Sequence, residues 1–524
     1  MRNRSDVIAE IRAAAEPWDI LVIGGGATGL GTALDAASRG FRTLLLEQHD
    51  FGKGTSSRST KLVHGGVRYL RQGDVSLVFE ALKERGLMLQ NAPHLVRNQS
   101  FVIPAYDWWE GPFYTVGLKV YDMMAGKLGL GPSRHISREE TLELIPTIEK
   151  NGLKGGIIYH DGQFDDARML ISLAQTCEDH EGMVANYIKV TELLKEKGLV
   201  SGVLAVDQET GEEFRIPAKA IVNATGVFAD HILRMDDPEA VNMIRPSQGI
   251  HLVLDSKFLQ GRHAIMVPQT SDGRVMFAVP WYNKVVIGTT DTLVDDTSLE
   301  PKALEEEIDF VLKTAGQYLA NDPYREDVLS VFAGLRPLAA SGDDETSTKE
   351  ISRHHKVLVS VSGLISVIGG KWTTYRKMAE DAVDYAVMVG ELPERKCHTH
   401  HLPIHGYMSA SKTPINPMSA YGQDRTLIED LSHEKFGDDP YLSESLGIQK
   451  AQVTWAVRVE MALTLEDVLA RRTRALFLDA KESLRIAPET SRLMAFESGY
   501  GPQWIQSQLS LYSQLAKRYL LEQY

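Results

Sequence analysis

Gly24, Gly26 and Gly29 are spaced two and three residues apart, directly after the apolar run 19–23 and directly before a helical pattern that reaches about residue 39. A second apolar run, 43–46, stops at Glu47. Strand, glycine turn, helix and strand in that order close a βαβ unit within about 30 residues. Glycines at these positions let backbone N–H groups at a helix start approach a pyrophosphate, and an acid at the end of the second strand is placed to accept hydrogen bonds from ribose hydroxyls. The pattern is that of a dinucleotide site. A turn built only for tight packing leaves Glu47 without a role. Triad and acid alone do not separate a nicotinamide from a flavin dinucleotide.

What separates them lies further along the chain. Residues 51–70 run through the small hydroxylated Thr55, Ser56 and Ser57 to the pair Gly65-Gly66, which suits a loop crossing the second half of a long flavin dinucleotide. Asn223-Ala224-Thr225-Gly226 follows a strand-like run and offers another close backbone approach. Gly369-Gly370-Lys371 opens a further helix, where the nucleotide-binding unit is re-entered. No Gly-x-Ser-x-Gly elbow is present, so nucleophilic catalysis has no foothold. His398, His400 and His401 stand beside Cys397. Their spacing is not that of a common zinc site and no second ligand cluster accompanies them, so no metal is expected.

On these motifs the chain resembles the FAD-dependent glycerol-3-phosphate dehydrogenases over most of residues 17–390. The resemblance is carried by Ile23-Gly24-Gly25-Gly26-x-x-Gly29-x-Gly31-x-Ala33-x-Asp35 with Arg39-Gly40, by His64-Gly65-Gly66-x-Arg68-Tyr69-Leu70, by Ala333-Gly334-Leu335-Arg336-Pro337, and by Gly369-Gly370-Lys371-x-Thr373-Thr374-Tyr375-Arg376. Leu30 departs from the small residue the family usually has there, and 464–473 is similar to the family's helical domain.

The resemblance implies oxidation of sn-glycerol 3-phosphate to dihydroxyacetone phosphate with reduction of FAD, electrons passing on to quinone. A phosphate dianion bearing a secondary alcohol needs two or more cations, a group to take the hydroxyl proton and a flavin to take hydride. The matching positions imply a catalytic set of His251, His64, Arg336 and Lys371, and a substrate-binding set of Arg68, Tyr69, Arg336, Arg353 and Lys371. The implied cofactor contacts are Gly24, Gly26, Gly29, Glu47, Thr55, Ser56, Ser57, Ala224, Gly226, Gly369, Gly370, Lys371 and Thr373. Which histidine is the base stays open, and His251, between Ile250 and Leu252, also reads as a structural histidine. Arg353 beside His354-His355 also reads as an exposed turn residue. Lys371 suits either the substrate phosphate or the flavin ring, and Thr289-Thr290-Asp291 either a pocket wall or a capped turn.

Residues scattered from 24 to 373 meet only if several elements converge. The expected fold is α/β: a Rossmann-like FAD-binding domain split in sequence into 17–100, 181–235 and a return segment 331–395, with an antiparallel-sheet substrate domain at 236–330. A mixed helical and irregular cap segment is expected at 101–180 and a C-terminal helical domain at 400–524. The length, 524 residues, divided by about 150 gives roughly three units. That arithmetic counts masses, not contiguous segments.

With 56 Lys+Arg against 70 Asp+Glu, a net charge of −14 and 43% hydrophobic residues, the composition is that of a folded enzyme and not of a disordered scaffold. The acidic balance opposes broad binding to nucleic acid. Two cysteines without a Cys-x-x-Cys make no disulfide framework and point to a reducing compartment. No run reaches the ~18 apolar residues of a spanning helix, and charges interrupt the N-terminal apolar residues, leaving no secretory signal. The expected location is cytoplasmic, peripheral on the inner face of the cell membrane. Lipid contact would fall on Trp108, Trp109, Phe113 and Tyr114 or on the helix beginning at Trp372. The resemblance adds a quinone partner and a homodimer. Two other readings compete: an oxidase of the same fold that makes hydrogen peroxide, and a flavin-binding regulatory protein without turnover. The plain length favours the dehydrogenase over the first, and joint retention of His251, Arg336 and Lys371 opposes the second.

Overall fold

The computed structural model describes residues 1–66, 74–107, 110–268, 270, 273–340, 355–409 and 416–521. Strand Trp18–Ile23 lies between Thr43–Leu46 and Glu213–Asn223, all parallel, and Met183–Ala185 and Ile365–Ile368 extend this sheet on either side in the same sense. Strand Lys356–Val359 closes one edge antiparallel. Trp18–Ile23 and Thr43–Leu46 are buried almost throughout. Helices cover parallel sheets on both faces, so such strands read as continuous apolar runs and not as alternations. Helix Ala27–Ser38 packs against both Tyr375–Val389 and Asp166–Asp179.

Ile23 is in register with Leu46 on one side and Asn223 on the other. The loops that begin at Gly24, Glu47, Ala224 and Gly369 therefore leave from the carboxyl edge of one sheet, where open α/β sheets bind their ligands. Its strands come from residues 18–46, 183–223 and 356–368, which is why the glycine motifs are far apart in sequence and adjacent in the fold.

A second sheet, of ten strands among the described residues, carries His251 and Arg336. Its long strand Ile244–Asp255 pairs antiparallel with Val328–Ala339 on one side and with Lys284–Gly288 on the other. Two expectations are corrected here. Segment 101–180, expected as a helical and irregular cap, supplies strand Gly155–Phe164 and the second half of Val96–Ala105, which pair along their length inside this sheet. Gly155–Phe164 is buried at nearly every position, so no alternation marks it as a strand. The irregular-looking stretch after residue 105 contains helix Glu110–Ala125. Likewise 331–339, expected in the returning nucleotide segment, pairs with Ile244–Asp255 from Ala339 down to Val331. The return to the first sheet starts with strand Lys356–Val359.

The C-terminal region is helical, with Asp424–Phe436, Lys450–Val459, Ala480–Ser498 and Pro502–Ala516 as its main elements. Its core, including Leu465, Phe477 and Tyr512, continues into Val253 and Phe332 of the second sheet. Among the described residues no helix is long and apolar enough to cross a membrane.

Candidate active site

A cleft of about 600 Å³ runs along the carboxyl edge of the first sheet. Gly24, Gly26, Glu47, Thr55, Ser56, Ala224, Gly226, Gly369, Gly370, Lys371 and Thr373 all line it. Helix Ala27–Ser38 begins at Gly26 without a side-chain cap, and a Cβ on Gly29 would stand 1.8 Å from the Gly24 carbonyl oxygen. Only glycine closes the turn this tightly, which sets the helix start at the edge of the cleft where a phosphate can approach it. Gly29 thus supports the turn and is not among the residues lining the cleft. Ser57 is buried instead, its carbonyl accepting from Lys61 and Arg474.

Glu47 ties together the loops that follow the first two parallel strands. Its Oε2 accepts from Gly25 N–H at 2.6 Å and its Oε1 from His49 N–H at 2.8 Å. Burial raises its pKa and the two backbone donors oppose that rise. Each oxygen keeps a lone pair for a hydroxyl. Burial, then the nearby Lys53, hold the His49 imidazole down at about 4, so it is neutral at pH 7. Ser56 joins the first and last parts of the split domain: its Oγ accepts from Ala27 N–H at 3.0 Å and its carbonyl from Trp372 Nε1 at 2.8 Å.

A smaller cavity of about 180 Å³ shares Thr60, His64 and Arg336 with the cleft and is walled by Tyr159, Asp161, Arg274 and 289–291. Arg336 donates to Asp291 Oδ1 at 3.3 Å, Thr289 Oγ1 at 3.1 Å and the carbonyls of Gln248 and Thr290 at 3.2 and 2.9 Å. His251 lies across the strand pair from Phe332 and stacks on it, ring centroids 4.9 Å apart. Its Nε2 meets Thr60 Oγ1 at 2.8 Å, and Nδ1 has no hydrogen-bond partner among the described residues. Burial, then Lys61 and Arg336, push its pKa well below the ordinary histidine value. Two glycines make room for these side chains: a Cβ on Gly249 would stand 2.3 Å from Arg336 Nη2, and one on Gly288 2.6 Å from the His251 ring.

Residues 19–376 match the family model described as FAD dependent oxidoreductase, and 397–504 match the C-terminal domain of alpha-glycerophosphate oxidase. The mitochondrial glycerol-3-phosphate dehydrogenase of Schizosaccharomyces pombe is 38% identical over 92% of this chain and 84% of its own length. The human mitochondrial enzyme of that name is 40% identical over 94% of this chain and 72% of its own. The chain belongs to the FAD-dependent glycerol-3-phosphate dehydrogenase family. The crystal structure of the Bacillus halodurans glycerol-3-phosphate dehydrogenase complexed with FAD superposes with a TM-score of 0.80 at 30% identity, covering 99% of this chain and 97% of that one. The Mycoplasma pneumoniae L-alpha-glycerophosphate oxidase shares the fold at a TM-score of 0.57 and 18% identity over 74% of this chain.

The residues of this family member fit FAD: a glycine cradle that a Cβ would fill, an uncapped helix start and a carboxylate with acceptor capacity meet in one cleft. Of the expected substrate residues, His251, His64, Arg336 and Lys371 line the joined cavities. Arg68, Tyr69 and Arg353 lie outside the described residues, as do Trp108 and Trp109. Asp291, open between pocket wall and turn in the sequence, sits in the pocket beside Arg336. The helix beginning near Trp372 is turned inward. Tyr375 is buried, and Arg376 is buried and paired with Glu84 at 2.7 Å. Cys397 and His400 meet Glu380 with ligand atoms within 4.8 Å, but the Arg376 guanidinium already occupies that carboxylate at 2.8 Å and lies 3.7 Å from the thiol.

Sequence reasoning missed Arg274 in the pocket wall, Thr60 on His251, and the buried Lys61 and Asp166 behind it. No local pattern singles out Arg274. Thr60 and Lys61 do stand in the hydroxyl-rich loop between the nucleotide acid and the Gly-Gly pair, which is a usable signal.

Proposed function

We propose that this chain oxidises sn-glycerol 3-phosphate to dihydroxyacetone phosphate and hands the electrons to a membrane quinone. The observation that carries the reading is the junction of the two cavities, where a pocket of about 180 Å³ walled by Arg274 and Arg336 meets, at Thr60, His64 and Arg336, the dinucleotide cleft that His251 also lines. Bound FAD supplies the hydride acceptor. Arg336, held by four acceptors, and Arg274 receive the phosphate. Asp161, in the same wall, is neutralised by Arg85 at 2.7 Å and adds little repulsion. A neutral His251 takes the proton of the secondary alcohol, oriented by Thr60, while His64 faces the same space. Lys371, at the cleft end of the return loop, places positive charge beside the reacting centre.

We assign quinone as the acceptor because the curated relatives carry the dehydrogenase name along most of this chain. Reoxidation of the reduced holoenzyme by a short-chain quinone should outpace reoxidation by dissolved oxygen by at least about tenfold. Faster reaction with oxygen, with hydrogen peroxide formed, would replace this reading by the oxidase. We further propose a cytoplasmic homodimer held peripherally on the inner face of the membrane. Free Cys177 and Cys397 suit a reducing compartment. Exposed Phe79 and Met123, on the adjoining helices Val75–Asn91 and Glu110–Ala125, offer apolar contact to lipid. Sedimentation with and without vesicles reads both points, and a monomer that stays in the supernatant would overturn them.

A further inference from the structure

One buried side chain of the C-terminal helical domain, Arg474, reaches the turn that faces His251. Arg474, 2% exposed, donates from Nη2 to the Ser57 carbonyl at 3.0 Å and to Asp166 Oδ1 at 3.0 Å, and from Nη1 to the Ala470 carbonyl at 3.0 Å. The other oxygen of Asp166 accepts from Ser59 N–H at 3.1 Å, Ser59 Oγ at 2.7 Å and Lys61 Nζ at 2.7 Å, and Lys61 Nζ also donates to Ser57 O at 2.9 Å. Residues 57–61 are thereby gripped on both sides of Thr60, whose hydroxyl meets His251 Nε2. An apolar contact runs in parallel: Phe477, over which the Arg474 guanidinium lies, packs edge-on at 4.9 Å against Phe332, the ring on which His251 stacks.

We propose that Arg474 is a positioning residue for the oxidation, acting through Asp166 and the 57–61 turn to hold Thr60 against His251. The inference rests on the reading of His251 as the base, and it assigns the helical domain a part in the reaction that the cofactor contacts do not require. Burial of Lys61 with Arg474 nearby holds the lysine at about 7, so the cluster is near electrical balance and a lost arginine changes both geometry and charge behind the imidazole.

The test is anaerobic stopped-flow reduction of the holoenzyme by glycerol 3-phosphate, with rates expressed per bound flavin. Arg474→Met should lower the limiting rate by about 10- to 100-fold while the apparent Kd for substrate changes by less than about threefold, because the phosphate contacts are untouched. Arg474→Lys should recover most of the loss. Thr60→Val should fall into the same range, and the double variant should be no slower than the slower single one. Asp166→Asn replaces Arg474→Met if the latter does not fold. A rate per bound flavin equal to wild type, with only FAD content or thermal stability reduced, would overturn the proposal, as would additive losses in the double variant. If His251→Ala itself reduces flavin at the wild-type rate, the reading of the base fails first, and that outcome is separate from an impaired His251→Ala beside an unimpaired Arg474→Met.

Discussion

In the proposed reading, Arg336 is the side chain prepared for the substrate phosphate. Asp291 offsets its charge and three neutral oxygens fix its plane, so binding costs little reorganisation. Arg336→Ala should lower kcat/KM for glycerol 3-phosphate by about 10- to 100-fold, the worth of one or two charge-assisted hydrogen bonds. Steady-state kinetics check this, and an unchanged value removes Arg336 from the site. His251 makes a pH prediction. Its folded-state pKa is depressed by burial and by Lys61 and Arg336, so the imidazole stays neutral, and competent as a base, down through the ordinary histidine range. The limiting rate of flavin reduction should therefore show no acid inflection near the usual value of about 6.5 and should fall only at lower pH. An inflection at that value would reassign the base. At this scale, Glu47, the glycine triad and Arg336 were legible because each stands in a short pattern whose spacing matches its chemistry. Arg274, Asp166 and Arg474 were not, because their roles exist only through partners brought from distant segments: Arg474 is 308 positions from Asp166 and 417 from Ser57.

Among elements, the strands with an uninterrupted apolar run were readable, and the buried strand whose apolar run is broken by polar residues and glycine was not. Trp18–Ile23 and Thr43–Leu46 belong to the first group. Gly155–Phe164 is the second kind, and its sheet partner Val96–Ala105 straddles the boundary expected between residues 100 and 101. Residues 331–339 of strand Val328–Ala339 were placed in the wrong sheet because parallel and antiparallel partners cannot be told apart from a single apolar run. One contact between elements carries its own prediction. His405, in the loop before helix Asp424–Phe436, bridges Asp179 at 2.7 Å and Asp424 at 3.1 Å. These two carboxylates raise its pKa to about 9. A raised folded-state value gives a stabilisation that is fully present below the ordinary value of about 6.5 and is lost as pH rises through about 9. The Tm difference between wild type and His405→Ala should accordingly be largest near neutrality and below, and shrink above about pH 9. A difference that is flat across that interval would deny the bridge its ionic character.

For the whole molecule, the division of 524 residues into three masses corresponds to two sheets and a helical unit, while the order in which the chain visits them differs from simple succession. The first sheet is entered three times, and the sheet that holds His251 and Arg336 draws strands from both sides of the second visit. The net charge of −14 coexists with a pocket whose wall carries Arg274 and Arg336, so the global charge opposes polyanionic partners without describing the site. The central claim is that the small pocket presents a phosphorylated alcohol to the flavin. It is tested most directly by adding sn-glycerol 3-phosphate, and separately glycerol, to the oxidised holoenzyme under anaerobic conditions and following the visible flavin absorbance. Complete, saturable bleaching by the phosphate ester with little or none by glycerol is the predicted result. No bleaching by the phosphate ester, or equal bleaching by both alcohols, would contradict it.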